Sequence, residues 1–254
     1  MPTVEEIVDF LDDLLDSRSF ADWCPNGLQV AASPGRTVER VATCVSAHAG
    51  TIEQAIAIGA SLIVAHHGLV WGSQPQPIVG PARERLRLLL CSDVALAAYH
   101  LPLDAHPEVG NNALLARALG LAVEGRFADV RGHEIGVVAT VERALAPSEL
   151  AERVRRATGR DPLHLPFGPP EVRRVGIVSG AGADALGETK ARKLDALVTG
   201  EPREAAFADA RELGVHFFAA GHYATEKFGV RRLGELVAER FGVEHTFVDF
   251  PNPI

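Results

Sequence analysis

Cysteine, lysine, aromatic side chains and long uncharged apolar runs are all scarce in this chain, and each shortage removes a class of explanation. The three cysteines, Cys24, Cys44 and Cys91, are isolated and form no Cys-x-x-Cys pair. Neither a thiolate metal site nor a disulfide framework is expected, which fits a reducing cytoplasm. No stretch of about 18 apolar residues free of charge occurs, which argues against a membrane span. The acidic, amphipathic start MPTVEEIVDFLDDLLD lacks the basic-then-apolar pattern of a secretory signal. Only three lysines (Lys190, Lys193 and Lys227) are present, and 25 Lys+Arg against 33 Asp+Glu leave a net charge of -8. That mean field repels polyanions and disfavours nucleic acid as a partner. Aromatics make up only 6% of the 254 residues, but a hydrophobic content of 47% suffices for the core of one large domain or two small ones.

Along the chain, Val4, Ile7, Val8, Leu11, Leu14 and Leu15 recur at helical spacing behind Thr3 and Glu6, a capping box, and predict a helix over 4–15. A turn-rich segment, 19–35, leads through Pro25, Asn26 and Gly27 to a short strand at 28–30. A strand over 38–45, a helix over about 51–58 and an apolar strand ending at His67 form a βαβ unit, and the continuous apolar run marks a sheet covered on both faces. The Pro/Gly-rich loop VWGSQPQPIVG follows, then helical spacing over 81–90 and a buried strand, DVALAAYH, ending at His100. Beyond it the pattern predicts a helix at 111–119, a strand at 133–141 with a short continuation, and an amphipathic helix at 148–158 capped by Ser148. DPLHLPFGPPE reads as a rigid Pro-rich connection, 226–241 as a helix, and the C-terminal end adds a short strand.

The second half repeats the first. VRRVGIVSGAG at Val172 matches VERVATCVSAHAG at Val38, and LDALVTGE at Leu194 matches ASLIVAHH at Ala60, both at an offset of 134 residues. GVHFFAAGH, ending at His222, matches DVALAAYH, ending at His100, at an offset of 122, and in both an acid follows four residues later: Asp104 and Glu226. Duplication predicts an α/β fold of two similar three-layer lobes, 1–125 and 126–254, with the segment after about 222 able to pack back on the first. Corresponding strand ends would face one another, because ligands of such sheets gather beyond the carboxyl ends of strands.

Those strand ends carry the chemistry. His66 and His67 end an apolar run; consecutive strand side chains point to opposite faces, so both serve one cluster only if the strand stops there and the chain turns, which Gly68 permits. Asp104 follows His100 in a Pro-containing loop, with His100 either a ligand or a partner to one. His222 and Glu226 share one edge of the first turn of a helix that begins near Tyr223, where the helix dipole favours the carboxylate. These residues predict a metal set of His66, His67, Asp104, His222 and Glu226, with Glu226 able to bridge two divalent ions. Imidazole and carboxylate donors without thiolate suit Zn, Fe, Mn, Co or Ni and do not choose among them. Two ions about 3.5–4 Å apart favour water activation and hydrolysis. Glu201, after a Thr-Gly strand end, can shuttle protons, orient a histidine or simply cap a helix. His48 can line the same cleft, whereas His106, His133, His164, His216 and His245 read as surface or packed residues. GAGADALG lacks the G-x-x-x-x-G-K-[ST] pattern and is not a phosphate loop.

Five motifs, NGLQV at Asn26, LIVAHH at Leu62, YHLPLD at Tyr99, VTGE at Val198 and GHYATE at Gly221, span essentially the whole chain in one order. With them the sequence resembles the dinuclear-metal family of GTP cyclohydrolase 1 type 2 homologues. The resemblance implies two α/β lobes with a metal cleft between them and the same five ligands, Glu226 bridging and His100 bordering the site. It also implies a ring-shaped hexamer whose clefts face an internal cavity, without the central insertion some members carry. VSAHAG at Val45 departs from the family's aspartate-containing strand end. The function expected is a metal-dependent hydrolase of a nucleotide or related phosphate-containing small molecule, with Glu226, Glu201 and His100 as catalytic candidates. The competing expectation is a non-enzymatic, metal-binding ring scaffold or adaptor.

Overall fold

A computed structural model describes residues 1–72 and 77–254; the expected loop VWGSQPQPIVG lies partly outside the described residues. The first half of the chain forms α1 (Val4–Leu15), β1 (Gly27–Val30), β2 (Arg40–Ser46), α2 (Ala49–Ala57), β3 (Leu62–His67), α3 (Gly80–Cys91), β4 (Ala95–Ala98) and α4 (Leu101–Ala105). It continues through α5 (Asn111–Ala118), β5 (Ala122–Val130), β6 (His133–Leu145), α6 (Pro147–Thr158), β7 (Leu163–Pro166) and β8 (Val172–Val178). The remainder is α7 (Leu186–Ala191), β9 (Ala196–Thr199), α8 (Ala206–Leu213), β10 (His216–Ala219), α9 (His222–Thr225), α10 (Lys227–Phe241) and β11 (Glu244–Phe247). These elements divide into two compact units, Met1–Leu103 with Gly229–Phe250, and Asp104–Phe228 with Pro251–Ile254. Among the described residues no helix is long and apolar enough to cross a membrane.

The first unit is built on a five-stranded sheet ordered β1-β4-β3-β2-β11, in which β2, β3, β4 and β11 are parallel and β1 runs antiparallel beside β4. Its interior is aliphatic, with Ile52, Ile63, Leu89 and Leu96 buried. The capping box at its amino end is formed: the Thr3 hydroxyl accepts from the Glu6 N–H and the Glu6 carboxylate accepts from the Thr3 N–H. The second unit has a six-stranded sheet ordered β5-β6-β8-β9-β10-β7 over a core that includes Leu150, Val154, Ile177, Val198 and Phe218. Here β8, β9 and β10 are parallel and β7 runs antiparallel beside β10.

The two sheets thus share a four-strand plan: one antiparallel edge strand, then three parallel strands that correspond pairwise in the sequence repeat. They differ at the far edge, where β11 joins β2 in parallel in the first unit and the β5-β6 hairpin joins β8 antiparallel in the second. Parallel strands leave all their carboxyl ends on one edge of the sheet. Ser46, His66, His67 and His100 therefore collect on one edge of the first sheet, and Ser179, Gly180, Glu201 and His222 on one edge of the second.

Several local expectations need revision. α6 is capped by Ala146, with Pro147 at its first position, and Ser148 lies inside the helix. The Pro-rich connection contains β7, a strand that pairs along its whole length with β10. It is an edge strand, where proline is tolerated because one side of the strand needs no partner. α2 begins at Ala49, two residues before the expected start, with His48 as its cap. The expected single helix near Tyr223 is broken: α9 ends at Thr225, Glu226 occupies the junction with φ -110° and ψ 5°, and α10 starts at Lys227.

Candidate metal centre

In the first unit β3 ends at His67, so the alternation of a strand no longer separates the two histidines. Their ring centroids lie 4.6 Å apart, and the His100 ring is 5.2 Å from that of His66 and 5.8 Å from that of His67. The three imidazoles each bring a nitrogen within 4.8 Å of the others. The bend falls on Leu69 rather than on Gly68, whose backbone is not left-handed; the site needs the small size of Gly68. A Cβ there would sit 2.2 Å from Gln29 Oε1, the oxygen that accepts the Leu69 and Val70 N–H groups at 2.8 and 3.1 Å.

Each of these rings is held through Nδ1. That of His66 lies 2.9 Å from the Tyr99 carbonyl, that of His67 3.0 Å from Ser46 Oγ, and that of His100 2.8 Å from the Asp22 carboxylate. A carbonyl and an ionised carboxylate can only accept, so His66 and His100 keep their proton on Nδ1 and a lone pair on Nε2. A serine hydroxyl accommodates the same tautomer in His67.

Asp22 is the hub of this arrangement. Its carboxylate also accepts the N–H groups of Trp23, Cys24 and Leu101 at 2.6, 3.2 and 2.9 Å and the Asn26 side-chain amide at 3.2 Å. Burial opposes its charge, but the His100 hydrogen bond and charge, with the backbone donors, outweigh burial and lower its pKa to about 2. Asn26 returns the connection by accepting the His100 N–H at 2.8 Å. The DWCPN loop therefore fixes the end of β4.

In the second unit one oxygen of the buried Asp104 carboxylate accepts from the Asn111 amide at 2.9 Å and from Ser179 Oγ at 3.1 Å. Asn112 supports the same corner, donating to the Ile135 carbonyl and accepting the Ser179 N–H. Asp104 and Glu226 each offer an oxygen within 4.8 Å of the other. His222 stands between two acids: Nδ1 is 2.5 Å from Glu201 Oε1 and Nε2 is 3.1 Å from Glu226 Oε2. Burial disfavours the charged ring, yet Glu226 and then Glu201 outweigh it and raise the pKa to about 9. A cation bound at Nε2 would replace the proton held between the ring and Glu226.

Gly180 makes room for this group. Its φ is +61°, and a Cβ there would lie 2.2 Å from Glu226 Oε1 and 3.0 Å from His222 Nε2. The Gly180 N–H donates to Thr225 Oγ1 at 3.1 Å, and its carbonyl accepts the N–H groups of Gly200 and Glu201, each at 2.9 Å. The strand ends of β8 and β9 are thereby tied to α9.

Each residue expected at the site thus belongs to one of two groups: His66, His67 and His100 in the first unit, and Asp104, His222, Glu226 and Glu201 in the second. His48 caps α2 and packs edge-on against Phe250. Asp22, Ser46, Asn111, Asn112, Ser179 and Thr225 were not anticipated; they are single polar residues in loops or at element ends. Only the D-x-x-x-N spacing of Asp22 and Asn26 carries a local signal, that of a side chain bonding a few residues along.

Two α/β units of one plan, each bringing imidazoles or carboxylates to the carboxyl ends of parallel strands, define a metal-site α/β protein. The chain belongs to the Duf34/NIF3 (NGG1p interacting factor 3) family, whose model matches residues 2–253. It is 43% identical over 247 residues to a GTP cyclohydrolase 1 type 2 homolog of Deinococcus radiodurans, covering 97% of this chain and 93% of that one. The corresponding homolog of Archaeoglobus fulgidus is 43% identical over 246 residues, covering 97% of each chain. Among solved structures, TTHA1606 from Thermus thermophilus superposes with a TM-score of 0.89 at 36% identity over 100% of both chains. Reduced HcgD from Methanocaldococcus jannaschii, at 21% identity and a TM-score of 0.85 over 98% of each chain, shares the fold.

Two outcomes follow from the geometry. The folded-state pKa of Asp22 is depressed, so its contribution to stability is present above the unfolded value near 3.8 and disappears as pH falls through about 2. Asp22→Asn is expected to lower the unfolding free energy by about 2 kcal/mol near pH 6. In urea titrations at successive pH values, that gap should close on acidification between about pH 4 and pH 2; a gap that persists at pH 2 contradicts the assignment. Gly180→Ala should leave the circular dichroism unchanged while weakening divalent metal binding roughly 10–100-fold in equilibrium dialysis, because its methyl displaces Glu226 and His222.

Proposed function

We propose that this chain is a dinuclear metal-dependent hydrolase of a nucleotide or related phosphate-containing small molecule, with His66, His67, Asp104, His222 and Glu226 holding two divalent ions. The observation that supports it most is the uniform attachment of the imidazoles through Nδ1, to Tyr99, Ser46, Asp22 and Glu201. That is how ligating histidines are oriented, with Nε2 kept as the donor. The donor set fits the group: three imidazoles and two carboxylates without thiolate suit Zn, Fe, Mn, Co or Ni. Relatives named GTP cyclohydrolase 1 type 2 homolog support the nucleotide side of the reading.

Bound ions of this kind supply Lewis acidity and activate water for attack. The protein's own groups divide the remaining work. His100, its Nδ1 proton held by the ionised Asp22, presents the Nε2 lone pair of a fixed tautomer, suited to taking a proton from an attacking water. Glu226 is buried and would serve as a shared carboxylate ligand, whereas the Glu201 side chain is 36% exposed and can pass a proton to solvent through its bond with His222.

The three unpaired cysteines are consistent with a cytoplasmic setting, and a ring-shaped homohexamer belongs to the same proposal. Light scattering should return six copies; a monomer would remove the ring. Elemental analysis should find two divalent ions per chain in the native protein and fewer than one in a His66→Ala, Glu226→Ala double variant. Metal-dependent turnover of GTP or a generic phosphoester should disappear with the ions. Full metal content in the double variant would overturn the ligand set, and metal without turnover of either substrate class would favour a non-enzymatic scaffold.

A further inference from the structure

The chain has two tryptophans, Trp23 and Trp71, and both lie against the histidine group of the first unit. The Trp71 ring centroid is 5.2 Å from that of His100, at an interplanar angle of 75°, and 6.0 Å from that of His67. The Trp23 ring is 6.5 Å from that of His100. Neither ring is buried: Trp23 is 47% and Trp71 41% exposed. A large aromatic side chain normally contributes to stability by leaving water, so two half-open rings beside one imidazole call for an occupant.

The Trp71 ring is fixed in place, and the backbone that carries Trp23 is anchored. The Trp71 indole N–H donates to the Gly68 carbonyl at 3.0 Å, so its polar edge is satisfied within the chain. The Gly72 N–H donates to the Trp23 carbonyl at 2.7 Å, which ties the two segments together, and the Trp23 N–H is held by Asp22. The open part of the Trp71 ring is therefore a held apolar surface with little hydrogen-bonding capacity left, and the Trp23 ring stands on an anchored backbone beside it. Such surfaces recognise flat, polarisable rings by stacking, and do so for any base, because every base has a π-face.

We propose that Trp71, assisted by Trp23, seats the planar heteroaromatic ring of the substrate, a nucleobase or a closely related bicyclic ring, beside His67 and His100. This rests on the hydrolase reading above and narrows its substrate class to molecules with such a ring. A sugar phosphate without a base meets only part of the site.

The test compares wild-type protein with Trp71→Ala, Trp71→Phe and Trp23→Ala, titrated by calorimetry with guanosine 5′-monophosphate and with ribose 5-phosphate, with metal content and oligomeric mass measured on the same samples. Wild-type protein should bind guanosine 5′-monophosphate more tightly than ribose 5-phosphate, with quenching of indole emission. Trp71→Ala should weaken guanosine 5′-monophosphate roughly 10–100-fold and leave ribose 5-phosphate and the metal content unchanged, while Trp71→Phe keeps most of the affinity. Equal affinity of wild type for the two ligands, or an equal loss of both in Trp71→Ala, overturns the proposal. So does a Trp71→Ala protein whose oligomeric mass changes while its nucleotide affinity does not, since that assigns the rings to a contact between copies. A wild-type protein without bound metal would defeat the hydrolase reading, whereas a base preference lost in Trp71→Ala would still uphold the seat.

Discussion

A neutral imidazole that is to offer a lone pair through Nε2, to a cation or to a proton, must keep its own proton on Nδ1, and in a buried place that proton needs an acceptor. This requirement organises the molecule. His66 meets it with the Tyr99 carbonyl, His100 with Asp22 and His222 with Glu201, while Ser46 serves His67. Tyr99 lies on the strand end next to β3, and Ser46 is the last residue of β2, paired with His67 in register. The parallel sheet thus supplies acceptors from neighbouring strands where its central strand supplies the rings. Where neighbouring strands cannot serve, a loop does: the Asp22 carboxylate binds five donors and fixes His100 at the end of β4.

The repeated strand plan is used unequally. In the first unit the end of β3 carries two histidines, and in the second the matching position after β9 carries Gly200 and Glu201. The strand ends of the first unit thus carry neutral, borderline imidazoles and those of the second mainly charged, hard carboxylates. Glycine makes the second arrangement possible, since Gly180 brings the backbone against Glu226 and His222 where any side chain would intrude. Imidazole donors favour a borderline divalent ion over Mg or Ca, whose sites are built from oxygen alone.

Much of this was legible in the chain. The capping box at Thr3 and Glu6, the βαβ pattern around β2 and β3, and the imidazoles at strand ends carry periodic or local signals that survive without coordinates. What was not legible depends on distance along the chain. Asp22 acts on a histidine 78 residues away and Ser179 on an aspartate 75 residues away, and no sequence window contains both partners. β7 was hidden by its proline, which its edge position tolerates. The cap of α6 fell on Ala146 because Pro147 fixes the first turn without a side-chain acceptor. The break at Glu226 was hidden because α9 and α10 read as one helical stretch.

The fixed tautomers are the most exposed point of this picture, and anomalous diffraction from crystals of the native protein at the absorption edge of its bound metal tests them most directly. The expected map has two peaks, bonded by Nε2 of His66, His67 and His222 and by the carboxylates of Asp104 and Glu226. Nδ1 should still rest on Tyr99, Ser46 and Glu201. Peaks bonded through Nδ1, or no peak at these side chains in protein shown to contain metal, would contradict it.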